Sequence, residues 1–327
     1  MKALAAIRLL VVAMAALASS LVQAQADSGE GYPKRPIHLI VGYAAGGAND
    51  VVARIVSQRL SERLGRSVIV ENKTGAAGMI AAEQVARSRP DGYTLLFAAS
   101  SMFTTNPVMY RKVPYTLSNF SPITTVVGFP FFLLVNEQQP IKTIPELLNV
   151  WKAKPDSANC SGAAGIHQLA FALFKSKTGN IGEFIPYRGT NEAINAVIGG
   201  NVLITIADSA PASTAISGGK VRALAVTSAK RLAAHPNLPT MTEAGLPGME
   251  IHSWFGVMAP ANTPVSIIKR LEDELHQIVK MGSFEQFAST LQLTPQSNTP
   301  EQFEQMITTD LARWRVVAKE AKIEPID

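Results

Sequence analysis

The sequence predicts an α/β protein in two lobes, each a mostly parallel sheet flanked by helices, with two strands crossing between them. From Pro36 onward, short apolar runs alternate with amphipathic stretches, and continuous apolar strands are those of a parallel sheet covered on both faces. The same alternation starts again near Phe131, giving two units in 327 residues, a length that suits two domains of roughly 100–200 residues each. The last helices have no strands of their own and are predicted to return to the first sheet. One continuous α/β domain is the alternative.

Met1 to Ala26 precedes this pattern and reads as a secretory signal: Lys2 and Arg8 make a basic start, Leu9 to Val22 is apolar, and small residues around Ala24 and Ala26 suit cleavage after either. The apolar run is shorter than the ~18–20 residues that span a bilayer, which disfavours a retained anchor. The expected compartment is the periplasm.

In the first unit, Ile37 to Val41 is predicted as a strand, Val51 to Leu64 as a helix with apolar residues near helical spacing, and Ser67 to Val70 as the next strand. A helix around Ile80 to Ser88 is ended by Pro90-Asp91-Gly92, and Thr94 to Ala98 is a third strand. The second unit opens at Phe131 to Val135, followed by a helix Ile144 to Ala153, a strand near Ala158 to Cys160, and a helix Ile166 to Lys177. Strands Val202 to Ile206, Ala223 to Thr227 and Phe255 to Ala259 come next, and helices Ile267 to Met281 and Pro300 to Lys322 close the chain. Crossings near residues 128 and 253 put 27–128 with 253–327 in the first lobe and 129–252 in the second, leaving a cleft where ligands commonly bind.

Composition narrows the function classes. Apolar residues make up 47% and charged ones 17% of the chain, enough for a large core and unlike a disordered sequence. The net charge of +5 is dispersed in singles and pairs such as Lys34-Arg35 and Lys230-Arg231, and no nucleic-acid motif accompanies it. No nucleic-acid partner is expected. Cys160 is the sole cysteine, so no intramolecular disulfide can form and the core alone must hold an exported chain.

Three glycine-rich segments share one device: Ala44 to Asp50, Thr74 to Met79 and Ser161 to Ile166 each follow a strand and precede a helix. Glycine admits close approach of a bound group, and the free N–H groups of a helix start favour an anion. Neither G-x-x-x-x-G-K-[ST] nor a G-x-G-x-x-G spacing occurs, so no nucleotide cofactor is expected. The five histidines lack the i, i+4 spacing of a helical metal site. For catalysis the candidates are Cys160, His167 and Asp208, but the thiol has no activating partner at a fixed spacing. Asp50 suits helix capping or contact with a cationic group, and Asp208 ligand contact or turn stabilisation.

These residues fall in a recognisable order. Gly46-Gly47-x-x-Asp50-x-x-Ala53-Arg54, Val70-Glu71-Asn72-Lys73-x-Gly75-Ala76-x-Gly78, Pro90-Asp91-Gly92-Tyr93-Thr94, Pro186-Tyr187-Arg188-Gly189, Leu224-Ala225-Val226-Thr227-Ser228 and Ser253-Trp254-Phe255-Gly256 together resemble the Bug receptors, the periplasmic solute-binding proteins of tripartite tricarboxylate transporters. The resemblance implies a type II periplasmic-binding-protein-like fold, a monomer that closes about a hinge, no catalysis and no cofactor. It implies a small carboxylate ligand, with permease subunits of the transporter, or a sensor protein, as partner. One wall of the cleft is then Tyr43, Gly46, Gly47 and Asp50, with Thr74, Gly75 and Gly78, and Ser100 and Ser101. The other is Gly162, Gly165, His167 and Gln168, with Tyr187, Arg188, Gly189 and Asp208. This chain has Ala44-Ala45 where the family usually has two prolines and Tyr43 at a frequent phenylalanine. Its Gly162-Ala163-Ala164-Gly165-Ile166-His167-Gln168-Leu169 puts a histidine one residue before the family's position, a rotation of about 100° on a helix.

Overall fold

The computed structural model describes residues 31–155, 158–179 and 181–327, so the predicted signal, Met1 to Ala26, lies outside the described residues. Strand β1 (Ile37–Val41) follows the period of two: Ile37, Leu39 and Val41 pack into one core and Ile40 into the core on the other face. Helix α1 (Ala48–Leu64) covers the first of these faces with Val52, Val56 and Leu60 and stops at Gly65, whose φ of 63° is the left-handed turn that ends many helices. β2 (Val68–Asn72), α2 (Met79–Ala86) and β3 (Thr94–Ala99) complete a βαβαβ unit in which β2 and β3 flank β1, both parallel to it. Two short helices follow, α3 (Ser100–Thr104) and α4 (Asn106–Met109).

The next strand, β4 (Phe120–Asn136), carries the chain from one sheet to the other. The second unit runs α5 (Ile144–Ala153), β5 (Cys160–Ala163), α6 (Ile166–Thr178), β6 (Phe184–Tyr187), α7 (Thr190–Ile198), β7 (Ile204–Asp208), α8 (Ser209–Ser217) and β8 (Val221–Val226). β9 (His252–Pro260) returns, followed by α9 (Val265–Val279), α10 (Gly282–Thr290), the two-residue β10 (Thr294–Pro295) and α11 (Pro300–Glu320). Phe120 to Pro130 of β4 pairs with β9 in the first sheet, whereas Phe131 to Asn136 pairs with β7 and β8 in the second. Parallel pairing holds among β1, β2 and β3 and among β5, β6 and β7. Where the two units join, the sheet is mixed rather than mostly parallel, because β4 leaves and β9 returns in opposite directions.

Helices cover both faces of both sheets. α9 packs on the first sheet, where the sequence placed it, with Ile267, Leu271 and Leu275 in its core, and α10, a helix the sequence did not announce, adds Phe284 to the same core. α11 does more: Phe303 and Ile307 pack beside Trp254 on the first sheet, with the Trp254 and Phe303 rings edge to face at 4.7 Å, while Trp314 and Val317 join the core of the second. Among the described residues no helix is long and apolar enough to cross a membrane.

Candidate functional site

A cavity of about 340 Å³ lies between the two sheets, where three helices of two turns or more and the short α3 begin. Gly47, Ala48 and Asn49 line it from the start of α1, Ile166 from the start of α6, and Ser209 and Ala210 from the start of α8. The first N–H groups of a helix have no partner inside it, and its dipole makes that end positive. Three such ends facing one space make an environment for an anion. Hydroxyls of Tyr43, Ser100, Ser101 and Ser253 stand in the same lining, and no lysine or arginine does among the described residues.

The loop before α1 is held by one carboxylate. Asp50 lies inside the first turn rather than at the cap, and its Oδ2 accepts the Gly46 N–H at 2.9 Å and Arg54 Nε at 2.9 Å. Its Oδ1 accepts Asn72 Nδ2 at 2.8 Å, and that amide also donates to the Tyr43 carbonyl at 3.0 Å. With both oxygens engaged, Asp50 shapes the loop, and Gly46 takes the left-handed φ of 83° that the turn needs. Burial works to raise the Asp50 carboxyl, but bonds from Arg54, Gly46 and Asn72 outweigh it and hold the group below its ordinary value. A carboxyl depressed in this way adds stability that is fully present above its unfolded value of about 3.9 and is lost as pH falls through the lower folded value. Asp50→Asn is therefore expected to be less stable than the parent in urea at pH 7 and to approach it as the pH falls below about 4. A gap that stays constant with pH would show that the charge does not hold the loop.

Tyr43 is half-buried, and its hydroxyl shares a 2.8 Å hydrogen bond with Ser101 Oγ. Burial pushes that hydroxyl above its ordinary range, so it stays neutral. On the second wall Asp208 ends β7 opposite Phe131, the first residue of β4 to pair in the second sheet. Its Oδ2 accepts the Thr190 hydroxyl and lies 3.4 Å from Nε2 of the buried His167, whose ring stands edge to face on Phe131 at 5.6 Å. Desolvation opposes ionisation of Asp208, but the adjacent His167 imidazole and the Thr190 bond outweigh it and keep the carboxyl below its ordinary value. The walls meet beside the cavity, where Ser209 Oγ donates to the Gln292 carbonyl at 2.9 Å.

Of the expected site residues, the structure brings Tyr43, Gly47, Ser100, Ser101 and Asp208 into the lining. The others stand elsewhere. Thr74, Gly75 and Gly78 are outside it: a Cβ on Gly78 would lie 2.6 Å from the Met102 methyl and 3.5 Å from the Tyr43 ring, so this glycine lets the loop pack behind Tyr43. Gly162 is glycine for the same reason, since a Cβ there would meet the His167 Cβ at 2.7 Å. Gly165, with φ of 77°, faces Thr105 of the other lobe. Gln168 lines a separate cavity with Phe171 and Glu320, because the helical rotation that turns His167 toward Asp208 turns its neighbour away. Arg188 and Gly189 line a wide groove between α7 and α8, and Tyr187 is in neither lining. The sequence reading missed Asn49, Phe129, Ile166, Ser209, Ser253, Phe255 and Leu293.

Cys160 is fully buried in the core of the second lobe, its Sγ 3.4 Å from the Ser161 carbonyl, and burial pushes the thiol up to about 12. A thiol so far from ionisation and from the cleft is a small core residue. Cys160→Ser is expected to cost about 1–3 kcal/mol, the price of a hydroxyl in an apolar site. Calorimetry should find carboxylate affinity unchanged. Ester turnover present in the parent and lost in Cys160→Ser would restore the nucleophile.

Residues 52–323 match the family model described as the tripartite tricarboxylate transporter family receptor. The chain belongs to that family. It is 33% identical to protein BugT of Bordetella pertussis over 297 residues, covering 90% of this chain and 91% of BugT. Among solved structures it is similar to a Rhodopseudomonas palustris protein solved with adipate, at 32% identity and a TM-score of 0.79 over 90% of this chain and 100% of that one. MatC of Rhodopseudomonas palustris, solved with bound malate, is 27% identical with a TM-score of 0.74, covering 88% of this chain and 99% of MatC. The periplasmic binding protein BugD is 32% identical with a TM-score of 0.75, over 90% of this chain and 100% of BugD. The fold is therefore that of the family's two-lobed periplasmic receptors, and family motif residues such as Gly47 and Ser253 lie in the cavity lining.

Proposed function

We propose that this receptor-family chain captures a small carboxylate in the cleft between its lobes, in the periplasm, and presents it to the membrane permease subunits of a tripartite tricarboxylate-type transporter. The observation that carries the reading is the meeting of three helix starts from both walls around a cavity without a cationic side chain. N–H groups fixed by the fold bind a carboxylate with little reorganisation, and the groups that the two lobes contribute are complete only when the lobes are together. The relatives solved with adipate and malate support a carboxylate as the bound group. Export by way of Met1 to Ala26 belongs to the same proposal.

A thermal-shift screen with mono-, di- and tricarboxylates finds the binders, since a ligand at about 100 times its dissociation constant adds ~2.7 kcal/mol. The best of them is then compared with its primary amide by calorimetry. The amide is expected to bind at least tenfold more weakly, because hydrogen bonds to a charged acceptor are roughly twice as strong as neutral ones. Equal affinity of acid and amide would overturn the anion site.

A further inference from the structure

We propose that the buried His167 is the proton-binding residue of the carboxylate site, so that a carboxylate entering the cleft is bound together with a proton that His167 takes up behind Asp208. This rests on the reading of the cleft as a carboxylate site and adds the proton as its co-ligand. The need for a proton arises from Asp208, the only charged side chain in the lining among the described residues. The Thr190 hydroxyl and the His167 ring hold its carboxyl in the ionised form. A carboxylate ligand therefore meets a like charge in a space walled in part by Phe129, Phe255 and Leu293, where repulsion is screened less than in water.

His167 can cancel that charge. It is 4% exposed, it stands outside the lining, and its Nε2 lies 3.4 Å from Asp208 Oδ2, yet neither ring nitrogen makes an aligned hydrogen bond. In a neutral imidazole one nitrogen carries a hydrogen and the other a bare lone pair, which is here buried with nothing to bond. The proton comes from water or a buffer acid and adds to that nitrogen, forming one N–H bond and breaking none in the protein. The pair passes from one negative charge to none. Histidine titrates nearest neutral pH of all side chains, and an anion within ~4–6 Å favours its charged form. The groups around the pair leave this proton to His167. β4 presents Phe131 to the ring and β5 presents Gly162. α7 presents Thr190 to Asp208, while Glu192 of the same helix accepts the Arg188 N–H at 3.3 Å and Arg188 lines the outer groove. Burial pushes the Cys160 thiol up to about 12, and Lys175, about two turns further along α6, donates to the Gly182 carbonyl at 2.7 Å. Across the cavity Tyr43 stays neutral, and Asp50 is engaged by Gly46, Arg54 and Asn72. Uptake of a proton on binding makes affinity rise as pH falls, and by reciprocity the ligand raises the proton affinity of the pair by the same factor.

The test is calorimetry of the whole protein with adipate, malate and phenylacetate at pH 7, 8 and 9, in buffers of different ionisation enthalpy. Over this range the ligand carboxyls are ionised, so a buffer-dependent heat reports protons that move on the protein. Uptake of at least about 0.3 proton per ligand is expected at pH 7, with affinity falling at least about threefold from pH 7 to pH 9. His167→Gln, which cannot titrate, is expected to bind without proton uptake and with an affinity that pH does not change. Asp208→Asn, which keeps the shape and an acceptor for Thr190, is expected to bind at pH 9 at least about threefold more tightly than the parent, because the like charge is gone. No proton uptake in the parent, uptake that persists in His167→Gln, or parent-like affinity of Asp208→Asn at pH 9 would overturn this inference and leave the carboxylate receptor standing. Heat from none of the three ligands, with the protein shown folded by circular dichroism, would overturn both.

Discussion

Gly47→Val is expected to abolish carboxylate binding while the protein keeps its fold. Gly47 caps α1 with φ of −73° and ψ of 162°, extended angles that valine adopts readily, so conformation does not demand glycine there. A Cβ at this position would meet only the Ala44 carbonyl, at 3.4 Å, and otherwise open space. Stability should therefore change by no more than about 0.5 kcal/mol, as for other surface substitutions. The consequence falls on the ligand, because Gly47 lines the cavity and the added methyl groups take room beside the N–H groups that start α1. Loss of binding by at least a hundredfold is expected in calorimetry, together with loss of ligand-induced compaction in small-angle scattering. Gly46→Val is the control: at φ of 83° a valine costs about 1–2 kcal/mol, so that variant should lose stability as well. Parent-like affinity in Gly47→Val would show that this loop does not form the site.

The two glycines also show what a sequence can and cannot reveal. Gly46-Gly47 before an amphipathic run marks a strand-to-helix loop, and that loop does line the cavity. At Gly75, Gly78 and Gly162 the same signature goes with close packing, against Ile80, Met102 and His167 respectively, a distinction made only by the neighbours that folding brings. Strands such as Ile37–Val41 and a helix such as α9, with Ile267, Leu271, Leu275 and Ile278 on one face, were legible because their period is local. The first half of β4 was not: Pro122, Gly128 and Pro130 read as breakers, yet the strand absorbs Pro122 through a register shift and ends its pairing with β9 at Pro130. Helix α8 was hidden by its run of small residues and Pro211, so the third helix start at the cavity went unseen although Asp208 beside it was named. Phe129 and Leu293 have no local signature at all, since each becomes part of a site only through the pairing of β4 with β9 and the packing of the loop after α10.

Thr227→Val is expected to destabilise the junction of the lobes far more than its loss of one hydroxyl suggests. Thr227 is buried between the two crossing segments, and its Oγ1 accepts the Phe131 N–H at 2.8 Å while donating to the Ile251 carbonyl at 2.6 Å. Its backbone repeats the link, donating to the Phe131 carbonyl at 2.9 Å and accepting the Ile251 N–H at 3.0 Å. Phe131 is where β4 enters the second sheet and Ile251 immediately precedes β9, so one residue ties the outgoing chain to the returning one. Valine keeps the shape but leaves the Phe131 N–H and the Ile251 carbonyl without this partner, at about 1–3 kcal/mol for each orphaned buried group. Thr227→Ser keeps both side-chain bonds and removes one methyl, about 0.8 kcal/mol. Urea denaturation should thus place the valine variant well below the serine variant, and because Phe131 also pairs with Asp208, ligand affinity should fall in the same order. Equal stability of the two variants would mean that side-chain volume, and not the hydroxyl, secures the crossing.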